Sequence, residues 1–82
     1  MWYIYLLRCR DGSYYTGITT DVEKRIETHR SGKGSKYVAR RGVDRVIGVL
    51  EAKDRSDASK REYEIKKLPR GQKVLLFTQG FF

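Results

Sequence analysis

Tyrosines cluster near the start of this sequence, at Tyr3, Tyr5, Tyr14 and Tyr15. Aromatic side chains favour strands, so packing alone could explain them. Each ring also ends in a hydroxyl that can donate and accept hydrogen bonds, as a site that orients a water molecule or a phosphate requires. The choice between packing and chemistry depends on which other polar groups the fold brings to the same place.

The segment that follows predicts a helix whose buried side carries two polar residues. Val22, Ile26 and His29 follow the i, i+4, i+7 spacing of an apolar stripe. Arg25 lies on the same stripe, one helical turn before His29, so the two side chains are neighbours. In one interpretation, Arg25 only reaches past the edge of a sheet and His29 is an ordinary half-buried ring. In the other, both belong to a functional site.

A carboxylate interrupts the apolar side of a later predicted helix. Ala58, Ile65 and Leu68 mark that side, and Glu62 lies between them. Such a carboxylate is seldom fully buried unless it is paired or bound to a metal ion. Arg25 could pair with it. Alternatively, Glu62 could hold Mg²⁺, which proteins often bind through one or two carboxylates together with substrate phosphates. Both interpretations remain open.

The composition predicts one small basic domain over residues 1–82. Lys and Arg number 18 against 10 Asp and Glu, which gives a formal net charge of +8. Such a surface attracts polyanions, so nucleic acid is the first candidate partner and an anionic membrane surface the second. A monomer is the default expectation.

The single cysteine and the short apolar runs bear on the compartment. Cys9 is alone, so neither an intrachain disulfide nor a thiolate cluster for zinc can form, and a reducing, cytoplasmic location is expected. The longest apolar runs, such as 74–77, fall far short of the ~20 residues that a membrane-spanning helix needs. The first residues are interpreted as a strand and not as a signal peptide.

The pattern of apolar and turn-forming residues predicts an α+β domain with a three-stranded, mostly antiparallel sheet flanked by helices. The run 46–50 is interpreted as a central strand, and the final "GFF" as an irregular end. The expected elements are strands at 2–8, 13–18 and 46–50 and helices at about 20–30, 57–68 and 69–79, in the order β-β-α-β-α-α.

Helix starts are predicted from capping residues. Thr20-x-x-Glu23 is a capping-box pattern for the first helix. Ser56 or Asp57 is expected to cap the second, and Pro69 suits the first position of the third.

The turn of the first hairpin decides whether two tyrosines share a face. A two-residue loop at Asp11-Gly12 would place Tyr5 and Tyr15 on opposite faces of the sheet. A three-residue loop from Arg10 to Gly12, with Gly12 left-handed, would pair Leu7 with Tyr15 and place both phenols on one face. The sequence suits either loop, but a shared site requires the second.

Taken in order, these residues resemble the signature of the GIY-YIG nuclease superfamily. "YIY" at 3–5 and "YTG" at 15–17 are similar to its two halves. Arg25 and His29 match its helix arginine and the histidine or tyrosine that follows, and Glu62 matches its metal-binding glutamate. The resemblance covers nearly the whole chain, and its specificity lies in the ordered set Tyr5, Tyr15, Gly17, Arg25, His29 and Glu62.

Two departures from the family pattern stand out. Tyr3 replaces the first signature glycine, which a pleated strand can accept. The polar residue that many members carry in the last helix, often asparagine, has no clear counterpart; Gln72 and Gln79 are the nearest.

The resemblance implies metal-dependent hydrolysis of DNA phosphodiesters by a small stand-alone member. Glu62 would then hold Mg²⁺ or Mn²⁺, and Arg25 would pair with the phosphate oxygens as they gain charge. Tyr5 would orient or activate the water, or His29 could take the proton directly or from Tyr5. Tyr15 would position phosphate or water.

Contact with DNA is expected mainly from the glycine-rich basic segment 31–42, "SGKGSKYVARRG", interpreted as a loop. A solvated loop without function is the alternative. Weak sequence specificity is expected, with recognition of DNA structure, ends or damage as in repair. A binding module of the same fold with little cleavage is the second interpretation. The expected nucleic-acid-binding residues are Gly17, Lys33, Lys36, Arg40 and Arg41.

Overall fold

The computed structural model describes residues 1–80, which form a three-stranded antiparallel sheet in the order β2-β1-β3, with helices on both faces. The α+β class and the antiparallel sheet are confirmed. No helix in this described range is long and apolar enough to cross a membrane. The elements are β1 (Trp2–Cys9), β2 (Tyr14–Thr19), α1 (Val22–Arg30), α2 (Lys36–Arg41), β3 (Val43–Ala52), α3 (Arg55–Lys66) and α4 (Arg70–Gln79).

The first hairpin has the three-residue loop. Leu7 pairs with Tyr15, and the Cys9 N–H donates to the Ser13 carbonyl at 2.8 Å. Gly12 takes φ +86°, a left-handed conformation that glycine adopts without steric penalty, and its N–H donates to the Cys9 carbonyl at 3.0 Å. Tyr5 therefore pairs with Gly17, and Tyr5 and Tyr15 lie on the same face.

Strand β1 divides the core between the two faces of the sheet because successive side chains alternate. Ile4 and Leu6 pack with buried residues of α3 and α4. Tyr5 and Leu7 pack on the opposite face with Ile26 of α1 and with a buried valine of α2. The central strand is therefore β1, and the prediction of a central third strand was wrong. The apolar run in β3 arises because β3, although at the sheet edge, contributes packing residues to both faces.

Two helices begin at different caps from those predicted. The N-cap of α1 is Asp21 and not Thr20, because the Asp21 carboxylate accepts the Lys24 N–H at 3.1 Å. The N-cap of α3 is Asp54, whose carboxylate accepts the Asp57 N–H at 2.8 Å. In both cases an aspartate satisfies a free N–H of the first turn.

A further short helix lies inside the segment predicted to be a loop. In α2, Ser35 accepts the Tyr37 N–H and Val38 is fully buried, so the segment has both a cap and an apolar anchor. Pro69 is the N-cap of α4 and not its first helical residue. Gly80 ends α4 in a left-handed conformation. The prediction for the rest of the "GFF" end, residues 81 and 82, falls outside the described residues.

Candidate active site

Gly17 makes room for the Tyr5 side chain on the sheet. The Tyr5 ring lies across the backbone of Gly17 on the neighbouring edge strand β2. A Cβ atom built on Gly17 would lie 2.3 Å from Tyr5 Oη, much closer than real contacts allow. Glycine at this position therefore lets the Tyr5 hydroxyl extend over β2 and towards α1.

The Tyr5 hydroxyl is held by His29. Tyr5 Oη lies 2.8 Å from His29 Nε2, and the two side chains are 0% and 2% exposed. Tyr15 packs at the edge of the imidazole, with ring centroids 5.4 Å apart, and its ring lies 6.3 Å from that of Tyr5. His29 Nδ1 has no hydrogen-bond partner within residues 1–80, so no such partner fixes which nitrogen carries the proton.

Arg25 covers the same hydroxyl from the solvent side. It is half-buried, and its Nε donates to Tyr5 Oη at 3.4 Å while its Nη2 donates to the Gly34 carbonyl at 3.4 Å. Gly34 also lies against His29: an added Cβ would be 2.6 Å from His29 Nδ1. Gly34 therefore fits the loop closely around Arg25 and His29.

The environment keeps both members of the hydrogen-bonded pair neutral near pH 7. Burial raises the pKa of Tyr5 above its usual value, against the lowering effect of the Arg25 hydrogen bond. Electrostatic effects of the neighbouring Tyr15 and of the Glu62 carboxylate add to the increase in the pKa of the Tyr5 phenol. Burial lowers the pKa of His29, and the positive charge of Arg25 lowers it further. A protonated phenol thus faces a neutral imidazole.

The lowered pKa of His29 predicts a loss of stability in mild acid. Below about pH 6.5 the unfolded chain binds a proton that the folded chain resists, so the free energy of unfolding should fall as the pH falls through the folded pKa. The slope from one such group is at most about 1.4 kcal/mol per pH unit. Urea unfolding between pH 7 and 5 measures it. His29→Gln should remove this component, and identical pH slopes for the two proteins would contradict the prediction.

Glu62 lies on α3, which packs against both the edge strand β2 and β1. Burial is the main cause of the raised pKa of Tyr5, and the charge of Glu62 is a minor one. The buried residues of α3 pack on the sheet face opposite to Tyr5. The Glu62 side chain is 23% exposed, and its Oε2 lies 3.6 Å from Lys66 Nζ. In the described part of the chain Glu62 forms no ion pair with Arg25, so the first of the two interpretations of Glu62, a structural pair with Arg25, is not the one observed.

The Glu62 carboxylate fits a hard cation held by few protein ligands. No group of three or more His, Cys, Asp or Glu side chains in residues 1–80 could form a metal cage. Glu62 is a partly exposed carboxylate, as a Mg²⁺ site completed by water and substrate phosphate requires. The exposed Lys66 side chain could leave Glu62 at little cost, because an i, i+4 ion pair at a surface is weak.

The predicted DNA-binding residues fall into two groups. Lys33, Lys36 and Arg40 are exposed. Arg41 is half-buried and already engaged, because its Nε pairs with Asp11 Oδ2 at 3.1 Å. Gly17 is buried beneath Tyr5.

The residues that depart from the nuclease signature lie on β1 and α4. Tyr3 is half-buried on β1, on the same face as Tyr5. Gln72 and Gln79 are exposed on α4, which packs on the sheet face opposite to Tyr5.

Sequence reasoning missed Tyr37. Its ring centroid lies 5.9 Å from that of Tyr15, and Arg41 stacks on it with the guanidinium carbon 3.8 Å from the ring centroid. The signal was present as an aromatic residue within a basic run, but without α2 nothing placed that ring beside the hairpin.

Fold and site together define a known class. Residues 1–74 match the family model described as the GIY-YIG catalytic domain, so the chain belongs to the GIY-YIG family, a superfamily of nucleases.

Several relatives are small proteins of similar length. UPF0213 protein H16_B0156 of Cupriavidus necator is 53% identical over 78 residues, which cover 95% of this chain and 85% of that protein. UPF0213 protein YhbQ of Escherichia coli is 43% identical over 79 residues, covering 96% and 79%. The solution NMR structure of UPF0213 protein BH0048 from Bacillus halodurans is similar, with 47% identity, a TM-score of 0.55, and coverage of 93% of this chain and 82% of that one.

Proposed function

We propose that this chain is a divalent-metal-dependent endonuclease that hydrolyses DNA phosphodiester bonds with weak sequence specificity, in processing or repair of DNA. The observation that carries the proposal is the contact of the Tyr5 hydroxyl with His29 Nε2 at 2.8 Å and Arg25 Nε at 3.4 Å. A family member that needed these residues only for packing would have no use for three polar groups meeting at one point.

Access to Tyr5 requires Arg25 to move. The Tyr5 side chain is fully covered, and both hydrogen bonds of Arg25 are long, at 3.4 Å. A phosphate offers a guanidinium two charged acceptors, which bind it more strongly than a phenol and a carbonyl at that distance. Substrate would therefore draw Arg25 onto the phosphate and expose the hydroxyl beneath it.

Proton transfer would then use the bond between Tyr5 and His29. With Arg25 on the phosphate, the Tyr5 hydroxyl can contact a water molecule and take its proton while passing its own to His29 Nε2. His29 is able to accept because it is neutral near pH 7. Arg25 remains to stabilise the negative charge that develops on the phosphate oxygens.

Glu62 would hold the cation, Mg²⁺ or Mn²⁺. When bound, such an ion polarises a phosphate oxygen and stabilises the leaving oxygen. The partly exposed carboxylate of Glu62 and its electrostatic effect on Tyr5 support this assignment. Tyr15, packed against His29, would position phosphate or water through its hydroxyl.

The second candidate function is DNA binding with little or no cleavage. It is favoured by one observation, the complete burial of Tyr5, which leaves the hydroxyl without contact to solvent. The exposed cations Lys33, Lys36 and Arg40 would support binding in either case.

Cleavage of defined DNA forms separates the two candidates. Supercoiled plasmid, blunt duplex, single strand, flap and branched junction would each be incubated with purified protein in Mg²⁺, Mn²⁺ or EDTA. We expect cleavage with either cation and none in EDTA, with little dependence on base sequence. Retarded migration of the same substrates, without any cleavage in either cation, would replace the nuclease by the binding module.

A further inference from the structure

Beside the proposed active site, four planar side chains form a continuous row that ends at the surface. His29 contacts Tyr15, Tyr15 contacts Tyr37, and Arg41 stacks on Tyr37, with separations of 5.4, 5.9 and 3.8 Å. The row begins at the imidazole that holds Tyr5 and ends at a guanidinium whose side chain is 34% exposed. The first contact is edge to face and the last is a stack, so a chain of ring contacts leads from the hydroxyl outwards.

The outermost layer is fixed in orientation. Asp11 of the hairpin loop pairs with Arg41 Nε at 3.1 Å, and Arg41 Nη1 donates to the Tyr37 carbonyl at 3.3 Å. Both partners lie at the edge of the guanidinium, where its N–H groups point, so they leave its plane available for stacking. A flexible surface arginine would lose this orientation.

The charge around the row suits a nucleotide. The surface here is a shallow, open depression formed by residues of α2: Lys36, Tyr37, Ala39, Arg40 and Arg41. Lys36 and Arg40 are exposed and form no salt bridge with residues that the structure describes. Lys36 and Arg40 are one helical turn apart, so they could together hold phosphates beside a base that stacks on Arg41.

We infer that Tyr37 and Arg41 form a stacking platform for an unpaired nucleobase close to the scissile phosphate. The inference rests on the proposed function and narrows its substrate to DNA with unpaired nucleotides, such as gaps, flaps and frayed ends. A base inside a regular duplex is stacked on both faces and cannot add to the row. The platform is not selective among bases, because each base offers a planar face.

Binding in EDTA tests the platform without any cleavage. The probes are three fluorescein-labelled duplexes of equal length: one fully paired, one with a short single-stranded gap, and one with the same gap made of abasic nucleotides. The abasic gap keeps the phosphates and removes the bases. We expect the wild type to bind the gap with bases about tenfold more tightly than the abasic gap, as a stacking free energy of about 1.4 kcal/mol implies.

Two variants and one matched control assign that preference to the row. Arg41→Lys keeps the positive charge and can keep the ion pair with Asp11, but it removes the planar guanidinium on which a base would stack. Tyr37→Leu removes the supporting ring. Both should bind the two gapped probes equally while melting within a few degrees of the wild type. Arg45→Lys, the same change at an exposed arginine of β3 that has no assigned role, should keep the preference.

Equal wild-type affinity for the base-containing and abasic gaps would overturn the platform, as would an undiminished preference in Arg41→Lys and Tyr37→Leu. These outcomes are distinct from failure of the proposed function. A protein that cleaves duplex DNA but ignores the bases refutes the platform alone. One that shows the preference but never cleaves supports the platform and refutes the nuclease.

Discussion

Tyr5→Phe is expected to lower the rate of metal-dependent DNA cleavage by at least about a hundredfold, the usual contribution of a group that transfers a proton. The ring and its packing across Gly17 remain, but His29 Nε2 and Arg25 Nε lose their common partner. Because that partner is buried, the free energy of unfolding should also fall by about 1–3 kcal/mol. The measurements are single-turnover cleavage and denaturant unfolding.

Tyr63→Phe is the matched control for that variant. Tyr63 is 62% exposed on α3, and its contact with Lys67 involves the face of the ring and not the hydroxyl. Its removal should change neither the cleavage rate nor the stability. A Tyr5→Phe protein that cleaves as fast as the wild type would remove Tyr5 from the mechanism.

Gly17→Ala is expected to damage stability and activity together. The added methyl group would meet the buried Tyr5 hydroxyl at 2.3 Å, so either the ring or strand β2 has to shift. Overpacking of this kind usually costs about 1–3 kcal/mol, and the displaced hydroxyl would lose its position beside His29. We therefore expect loss of cleavage comparable to that in Tyr5→Phe, measured by the same assay and by urea unfolding.

Gly71→Ala provides the opposite expectation for the same chemical change. Gly71 lies in α4 with no atom within 4 Å of an added Cβ. Alanine there should stabilise the protein by about 0.5–1 kcal/mol, since it restricts the unfolded chain and favours helix. Unchanged stability and activity in Gly17→Ala would show that the position of the Tyr5 hydroxyl does not depend on the space left by glycine on β2.

The register of the first hairpin was predictable only as a pair of alternatives. "RDG" suits a two-residue or a three-residue loop, and local sequence does not distinguish them. What selects the second is tertiary packing: Tyr15 of β2 joins the face of Tyr5, while Tyr14 and Ile18 join the opposite face. The requirement that two phenols share a face led to the right choice, because function and core packing depend on the same alternation.

Helix boundaries were less predictable because several residues near each start can cap. Asp21 follows Thr20, and Asp54 precedes Ser56. Which residue becomes the N-cap depends on where the preceding strand ends. Helix α2 was not predicted, for a different reason. Six residues with three glycines nearby carry almost no periodic signal, and the helix is held by the burial of Val38 against the core.

The convergence of the site was anticipated through family resemblance more than through spacing. Val22 and Ile26 define an apolar helix face on which Arg25 and His29 are the polar residues. Nothing in the sequence measures how close that face comes to Tyr5. The residues that support the site side chains could be predicted least from the sequence. Gly34 leaves space for the His29 ring, and Asp11 orients Arg41 from a position distant in the sequence. Both roles therefore arise only in the folded chain.

The most direct test of the proposed chemistry compares Glu62→Gln with Glu64→Gln in the cleavage assay with Mg²⁺, using identical purification. Both changes remove one carboxylate charge from α3, but Glu62 is the predicted metal ligand and contributes to the raised pKa of Tyr5, whereas Glu64 is exposed and has no assigned role. We predict that Glu62→Gln binds DNA as the wild type does and cleaves it at least about a hundredfold more slowly, whereas Glu64→Gln cleaves normally. Equal cleavage by Glu62→Gln and the wild type would contradict the account, because the activity would then come from another nuclease or another site.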